Sequence, residues 1–244
     1  RLTLTENGLT FLDRARHLLR DAHDAVAEIA ERSGELVGPM RISAPVSFGT
    51  LHLSQAIYSF LAAHPRIELA LELDDRFVDA GADGYDAVIR HGPVHDTRLI
   101  VRHLADSRRL LLASPAYLAA EGTPGSADDL ARHRAILYTP RESDWRFVGE
   151  AGTVIIRPKP AVRVNNGMRM SDAALAGLGI TLLPTFLVHR EVARGDLTVM
   201  DIGLVAEGAE VHVAYPAQRS PSAKIIALVA HLRRVFGDPP YWEA

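Results

Sequence analysis

The stretch Gly38-Pro39-Met40-Arg41-Ile42-Ser43-Ala44-Pro45-Val46-Ser47-Phe48-Gly49-Thr50 constrains this chain more than any other. Met40, Ile42 and Ala44 alternate with Arg41 and Ser43, which is the period of a strand. Pro45 and Gly49 break that strand, and Ser47 is placed to cap a following helix by accepting from a free backbone N–H. A strand that ends against a helix N-terminus is where α/β folds bind ligands, because unpaired N–H groups point outward there. The same turn is also an ordinary connection with no ligand, so the rest of the chain must decide.

The pattern continues downstream. Leu53, Ile57, Phe60 and Leu61 share one face of a helix that stops before Pro65. Ile67, Leu69, Leu71 and Leu73 alternate with Glu68, Ala70 and Glu72 in a strand exposed on one side. Residues 85–90 read as another strand, ended by His91-Gly92-Pro93. The order β–α–β–(short α)–β implies a parallel sheet with right-handed crossovers. Two apolar runs, 99–104 and 109–113, cross into a second unit. Ser114-Pro115 and Ser126, with Asp128 and Asp129 behind it, start helices there. Strands are expected over 135–138, 145–148, 154–156 and 161–164, and Asn165-Asn166 caps a helix to about Ala176. Gly177-Leu178-Gly179 turns into a strand over 180–183, a helix over 186–194 ends at Gly195, and 210–215 is a return strand. The last helix carries Ile225, Val229, Leu232 and Phe236, and 237–244 reads as a non-helical tail because of Asp238-Pro239-Pro240.

Ahead of all this lies a helix over 1–33, capped by Thr5 without a capping box. Leu12, Ala15, Leu19, Ala22, Val26 and Ile29 recur at steps of three and four, a heptad seam widened by Phe11 and Leu18. Basic Arg14, Arg16 and Arg20 give way to acidic Asp21, Asp24, Glu28 and Glu31, and Glu28 can pair with Arg32. Such spacing serves a helix packed on its own domain or one paired with another chain. A rod of roughly 40 Å favours pairing. Ser33-Gly34 ends the helix, and Gly38-Pro39 is the joint into the core.

Composition narrows the function classes. The formal net charge of −3 carries no excess of Lys and Arg for gripping DNA directly. The chain has no cysteine, which rules out disulfides and thiol chemistry within it and fits a reducing, cytoplasmic setting. No apolar run reaches the ~18–20 residues of a membrane span. The chain starts at Arg1, so a lost signal peptide and a lost domain both stay open. Catalytic signatures are absent: no G-x-S-x-G, no P-loop, no H-E-x-x-H. Gly177-x-Gly179 lacks a third glycine and precedes a strand where a dinucleotide loop must follow one. His91 and His95 are separated by Gly92-Pro93 and do not share a helical face for a metal. Asp74-Asp75 and Asp128-Asp129 read as solvated surface. The expectation is a chain that is not an enzyme and needs no cofactor or metal. Binding has more support. Ser47-Phe48-Gly49-Thr50, Arg90-His91-Gly92-Pro93, Asn165-Asn166-Gly167 and Pro184-Thr185-Phe186 each follow a strand at a break or helix start. Arg90 suits either a ligand carboxylate or an ion pair of its own chain.

These residues resemble LysR-type transcriptional regulators. The resemblance is carried by Leu4-Thr5-Glu6-Asn7-Gly8 before a long helix, Gly38-Pro-Met-Arg-Ile-Ser-Ala-Pro, and Asp86-Ala-Val-Ile-Arg-His-Gly. Ala113-Ser-Pro-Ala-Tyr-Leu, Gly125-Ser-Ala-Asp-Asp-Leu-Ala-Arg-His, Ala176-Gly-Leu-Gly-Ile with Leu183-Pro184, and Ser222-Ala-Lys-Ile continue it in order. The resemblance implies an α/β fold of two Rossmann-like lobes of periplasmic-binding-protein type, joined by two crossover strands and preceded by a long linker helix. It implies the end of a wing and a dimerisation helix over 1–35, a first lobe over 38–106 plus 212–244, and a second lobe over 107–211. It also implies that promoter DNA is bound by a winged helix–turn–helix missing before Arg1, so that this chain alone binds no operator. The linker helix would build a homodimer or homotetramer through Leu12, Ala15, Leu19, Ala22, Val26 and Ile29. A small-molecule effector would lie between the lobes near Ser47, Phe48, Thr50, Arg90, His91, Pro93, Tyr138, Asn166 and Phe186. Ser47 and Thr50 match the family's first-helix contacts, and the others follow from topology. Helix N-termini and Arg90 make an organic anion the class to expect. The rival readings are the solute-binding receptor of a transporter, which needs a signal peptide and no heptad helix, and an enzyme on the same fold.

Overall fold

The alternation of periods produces an equally regular alternation of elements. The computed structural model describes residues 3–32, 35–76, 80, 83–94, 96–139, 144–149, 152–217 and 222–244. Helix α1 (Glu6–Arg32) leads to β1 (Gly38–Ala44), which passes through Pro45 into α2 (Val46–Phe48), a π-helical turn over Gly49–Leu53 and α3 (Ser54–Ala63). Strands β2 (Ile67–Leu73), β3 (Ala87–His91) and β4 (Leu99–Ala105) follow. The chain then crosses into β5 (Arg109–Ala113), α4 (Pro115–Glu121), α5 (Ala127–Leu130), β6 (Arg134–Tyr138), β7 (Trp145–Gly149), β8 (Gly152–Ile156) and β9 (Lys159–Val164). It continues through α6 (Gly167–Leu175), β10 (Thr181–Pro184), α7 (Thr185–Ala193), β11 (Thr198–Val199) and β12 (Val205–Ala206), and returns as β13 (Val211–Pro216) and α8 (Ala223–Phe236).

Local chemistry sets the helix starts. Thr5 Oγ1 accepts from Gly8 N–H at 3.1 Å, Ser114 from Tyr117 N–H at 3.4 Å and Ser126 from Asp129 N–H at 3.1 Å. Asn166 Oδ1 accepts from Met168 and Arg169 N–H at 3.0 and 3.3 Å. Two expectations are corrected here. Ser47 is not a cap: the N-cap position is Pro45, which offers no side-chain acceptor, and Ser47 lies buried in the first turn. Gly49 has no part in breaking the strand, which already ends at Ala44; it lies inside the helical segment. There it lets the π-turn pass the end of β2, where a Cβ would come within 2.2 Å of Leu73 Cδ2. The strands β11 and β12 are two residues each, too short for any period to announce them.

The architecture is two-lobed. The first sheet has the order β2-β1-β3-β13-β4, with β1 parallel to β2 and β3 and with β13 antiparallel to β3 and β4. Met40, Ile42 and Ile89 of this sheet pack against Ile57 and Phe60 of α3 and Leu228 and Leu232 of α8. The second body holds the sheets β10-β5-β11, β6-β9 and β12-β7-β8. Its packing centres on Leu111, Ala113, Leu137, Phe147 and Ile180, with Leu112, Ile136, Met170 and Leu183 beside them. Gly179, at φ +155°, makes one close approach possible: a Cβ there would lie 2.5 Å from Arg134 O. The two crossings run side by side, and Ala209 N–H donates to Ser107 O at 2.9 Å.

Residues 237–244 are non-helical, as expected, but they are packed against the body and are not a tail. Trp242 is 2% exposed, packs edge-on against Phe48 and tilted against Phe236, and donates from Nε1 to Asp106 O at 2.9 Å. Glu243 accepts from Arg108 N–H at 2.7 Å and from the Thr185 hydroxyl. The segment is a strap across the first crossing and the start of α7. On α1, Leu12 and Ala15 are half-buried, whereas Leu19, Ala22, Val26 and Ile29 are exposed, as are Phe11 and Leu18. The Glu28–Arg32 pair, the side chains of Arg16, Arg20, Asp21, Asp24 and Glu31, Ser33-Gly34, His95 and residues 77–79, 81 and 82 of the stretch where a short helix is expected lie outside the described residues.

Candidate functional site

A cavity of about 440 Å³ opens between the lobes. That volume lies within the range of small-molecule sites. From the first lobe it takes Ser47, Asp75, His91 and Pro93, and the second crossing adds Glu207 and Gly208. The second lobe supplies Arg109, Tyr138, Asp144, Trp145 and Arg146, together with an apolar surface of Leu137, Met170, Leu182, Leu183 and Leu187.

Each wall follows from the strand order. Parallel pairing of β1 with β2 brings residues 74 and 75 alongside the start of α2. Asp74 N–H donates to Ala44 O at 2.9 Å, and Asp75 Oδ1 accepts from Val46 N–H at 3.0 Å. His91 and Pro93 follow β3, and Gly92 N–H donates to Glu210 O at 2.8 Å, which ties this wall to the second crossing. On the other side, Tyr138 ends β6 and Arg109 begins β5. Gly167 opens α6, where a Cβ would lie 2.6 Å from Leu187 Cδ1 and 3.5 Å from Ser47 Oγ. A glycine there lets α6 close on α7 and on the opposite lobe at once. Phe186 forms part of the floor, edge-on to Phe48 with centroids 5.2 Å apart.

The nine residues expected at the effector site have separate fates. Ser47, His91, Pro93, Tyr138 and Phe186 line the cavity. Phe48, Thr50, Arg90 and Asn166 are not among its lining residues. Phe48 is wholly buried in the first core against Phe186, Phe236 and Trp242. Thr50 is exposed and donates its hydroxyl back to Val46 O at 2.8 Å. Arg90 turns into its own sheet, donating to Ile89 O at 2.6 Å and Ser43 Oγ at 3.0 Å. Burial lowers its pKa, and the charges of Asp74, Tyr85 and Asp75 oppose that shift. Asn166 spends its side-chain oxygen on capping α6.

Reading the sequence missed the charged lining. Asp74-Asp75 reads as solvated surface, yet Asp75 is half-buried on Val46 N–H. Its neighbour Asp74 is held at a pKa of about 2, chiefly by the hydrogen bond from the Arg76 side chain. Asp144, paired with Arg157 Nε at 3.3 Å, and Arg109, at the mouth of a strand, had no motif to mark them. Beneath the floor, His52 is buried between Tyr241 and Phe186. Its Nδ1 is 2.5 Å from the Tyr241 hydroxyl and its Nε2 is 2.8 Å from Phe186 O. Burial pushes its pKa down to about 4. Among the described residues no group of three or more His, Asp or Glu side chains is arranged to hold a metal ion, and no helix is long and apolar enough to cross a membrane.

Comparison with known proteins identifies this architecture. The model of the LysR substrate binding domain matches residues 33–237. An HTH-type transcriptional regulator of Haemophilus influenzae is 31% identical over 226 residues, which are 92% of this chain and 78% of that protein. The HTH-type transcriptional regulator YhjC of Escherichia coli is 31% identical over 242 residues, covering 98% of this chain and 81% of that one. The structure of CrgA, a LysR-type transcriptional regulator from Neisseria meningitidis, superposes with a TM-score of 0.72 at 26% identity, over 95% of this chain and 81% of that one. Matched by that family's domain over most of its length, and similar to such regulators over nearly all of it, the chain belongs to the LysR-type transcriptional regulators.

Proposed function

We propose that this chain is the effector-sensing and oligomerising portion of its regulator. The lobe formed by 38–106 with 212–244 and the lobe formed by 107–211 grip a small organic molecule between them. The segment 1–35, the end of a wing and a linker helix, pairs subunits into a dimer or tetramer through Leu12, Ala15, Leu19, Ala22, Val26 and Ile29. The resulting change of lobe spacing passes along α1 to winged helix–turn–helix heads on promoter DNA in the cytoplasm. The effector must favour one lobe arrangement over another, because equal affinity for both moves nothing. The reading rests on one observation: the cavity draws its lining from both lobes and from a crossing between them. Ser47, His91, Pro93, Tyr138 and Phe186 are the expected contacts that also line it. The chain's role is binding rather than catalysis.

Calorimetric titration tests the placement. Gly208 is exposed, and a Cβ there would meet only Ser107 O at 3.8 Å, so Gly208→Trp puts bulk into the cavity without disturbing a core. An effector that binds the wild type is expected to weaken about a hundredfold in Gly208→Trp and several-fold in Ser47→Ala. Equal affinity in all three proteins contradicts the placement.

A further inference from the structure

Both features that favour an organic anion are already engaged within the chain. The first amide of α2 donates to Asp75 Oδ1, so the negative charge drawn to that helix end is the protein's own. Arg90 donates to Ile89 O and Ser43 Oγ and does not line the cavity. The charged groups that do line it are engaged as well. Asp144 is paired with Arg157, and Arg109, Arg146 and His91 each have an interaction within the chain. Asp75, besides holding Val46 N–H, is one of the charges acting on the buried guanidinium of Arg90. Glu207 is exposed at the rim, where water weakens its field. Burying a charge is costly unless it is paired, and an ionic ligand here must share a counter-charge that the chain already uses.

What the cleft leaves unengaged is neutral. Ser47 of the first lobe and Trp145 of the second line it and are 6% and 7% exposed. Among the described residues neither the Ser47 hydroxyl nor the Trp145 indole N–H has a hydrogen-bond partner. Ser47 Oγ faces the other lobe, 3.5 Å from where a Cβ on Gly167 would stand. Both groups can donate without carrying charge, which suits a carbonyl oxygen. A carboxylate presented to Ser47 meets a like charge, because Asp75 is bonded to the amide of the preceding residue. The remaining wall, Leu137, Met170, Leu183 and Leu187, accepts an apolar group. Taking the cleft to be the effector site, we infer that its ligand is an uncharged molecule with an apolar body and acceptor oxygens of the carbonyl class. Those oxygens accept from the Ser47 hydroxyl and the Trp145 indole N–H, and the apolar body lies on the leucines and Met170. A molecule that takes up both donors engages both lobes.

The test is calorimetry on the whole chain with primary amides and the carboxylates of the same shape. The pairs are N-acetyl-phenylalaninamide with N-acetyl-phenylalanine, 3-phenylpropanamide with 3-phenylpropanoate, and hexanamide with hexanoate; 3-phenylpropan-1-amine supplies the cation. At least one amide is expected to bind, with its charged counterparts about tenfold weaker or worse. Ser47→Ala and Trp145→Phe, which keeps an aromatic ring, are each expected to weaken that amide several-fold. Asp75→Asn keeps an acceptor for Val46 N–H and removes the charge. It is expected to strengthen the carboxylate about tenfold and to leave the amide within about twofold. The inference is overturned if a carboxylate or the amine binds the wild type as tightly as the amide, if no amide binds at about 10 mM, or if neither Ser47→Ala nor Trp145→Phe weakens the amide. A carboxylate that binds as tightly as its amide and is lost in Gly208→Trp keeps the cleft reading and discards the uncharged ligand. An amide that binds Gly208→Trp undiminished discards both.

Discussion

At the scale of single residues, His52 shows how a buried group couples the molecule to pH. Its Nε2–H donates to Phe186 O and its Nδ1 accepts from the Tyr241 hydroxyl, which is the neutral tautomer. Burial is the largest cause of its lowered pKa, and the neighbouring charges of His189 and Arg190 push the same way. Burial also lowers the pKa of His189, whose ring lies 5.8 Å from that of His52. The unfolded chain therefore takes up protons that the folded chain refuses. Stability tied to His52 is complete above about pH 6.5 and is lost as pH falls toward 4, by about 3 kcal/mol. Urea denaturation across this window is expected to show that slope, and His52→Gln to flatten it. A slope unchanged in the variant contradicts the assignment. Arg90 and Asp75 show what could not be read at this scale. The sequence supplied an arginine at a strand end and a pair of aspartates after another strand. Which of them faced the cleft depended on Ser43 and Val46, partners on a neighbouring strand and helix about 30 to 50 positions away.

Elements were legible wherever a period ran long enough to repeat. The strand and helix of 40–63, the caps at Ser114, Ser126 and Asn166, and the last helix all announce themselves in local chemistry. The strap of 237–244 does not, because Asp238-Pro239-Pro240 breaks every period and a single tryptophan has none. Its place is decided by tertiary partners: the Asp106 carbonyl, the rings of Phe48 and Phe236, and Arg108 with Thr185 beyond the crossing. Trp242→Ala would open a cavity at this junction. It is expected to lower unfolding stability by about 3–5 kcal/mol, measured by chemical denaturation. A loss below about 1 kcal/mol would show that the strap is dispensable. Helix α1 poses the opposite case, a legible seam with exposed side chains. Leu19, Val26 and Ile29 are 62%, 64% and 69% exposed. Contiguous apolar exposure of this kind marks an interaction surface. Leu19→Glu with Val26→Glu is expected to shift the light-scattering mass to the monomer while leaving the thermal transition of the lobes in place. An unchanged mass places the subunit contact elsewhere.

At the scale of the whole molecule, two bodies with separate cores meet along two adjacent crossings, a strap and a charged cleft. The β–α–β order made two such bodies readable, because a parallel sheet needs its crossovers and the second set of strands needs a sheet of its own. What order alone does not reveal is which side chains end up facing each other across the gap. The family is established by the match over residues 33–237, and the proposed sensing mechanism rests on the cleft's position between the lobes. A ligand that bridges the lobes must change their separation or narrow its spread. The chain has no cysteine, so a single pair introduced at the exposed positions Gln55, in α3, and Glu121, in α4, can be spin-labelled without background. The measurement is the distance distribution between those labels, by pulsed electron resonance on labelled protein diluted into unlabelled, with and without a saturating small molecule that binds the cleft. A shift or narrowing that tracks occupancy is expected, and identical distributions at saturation would contradict the account.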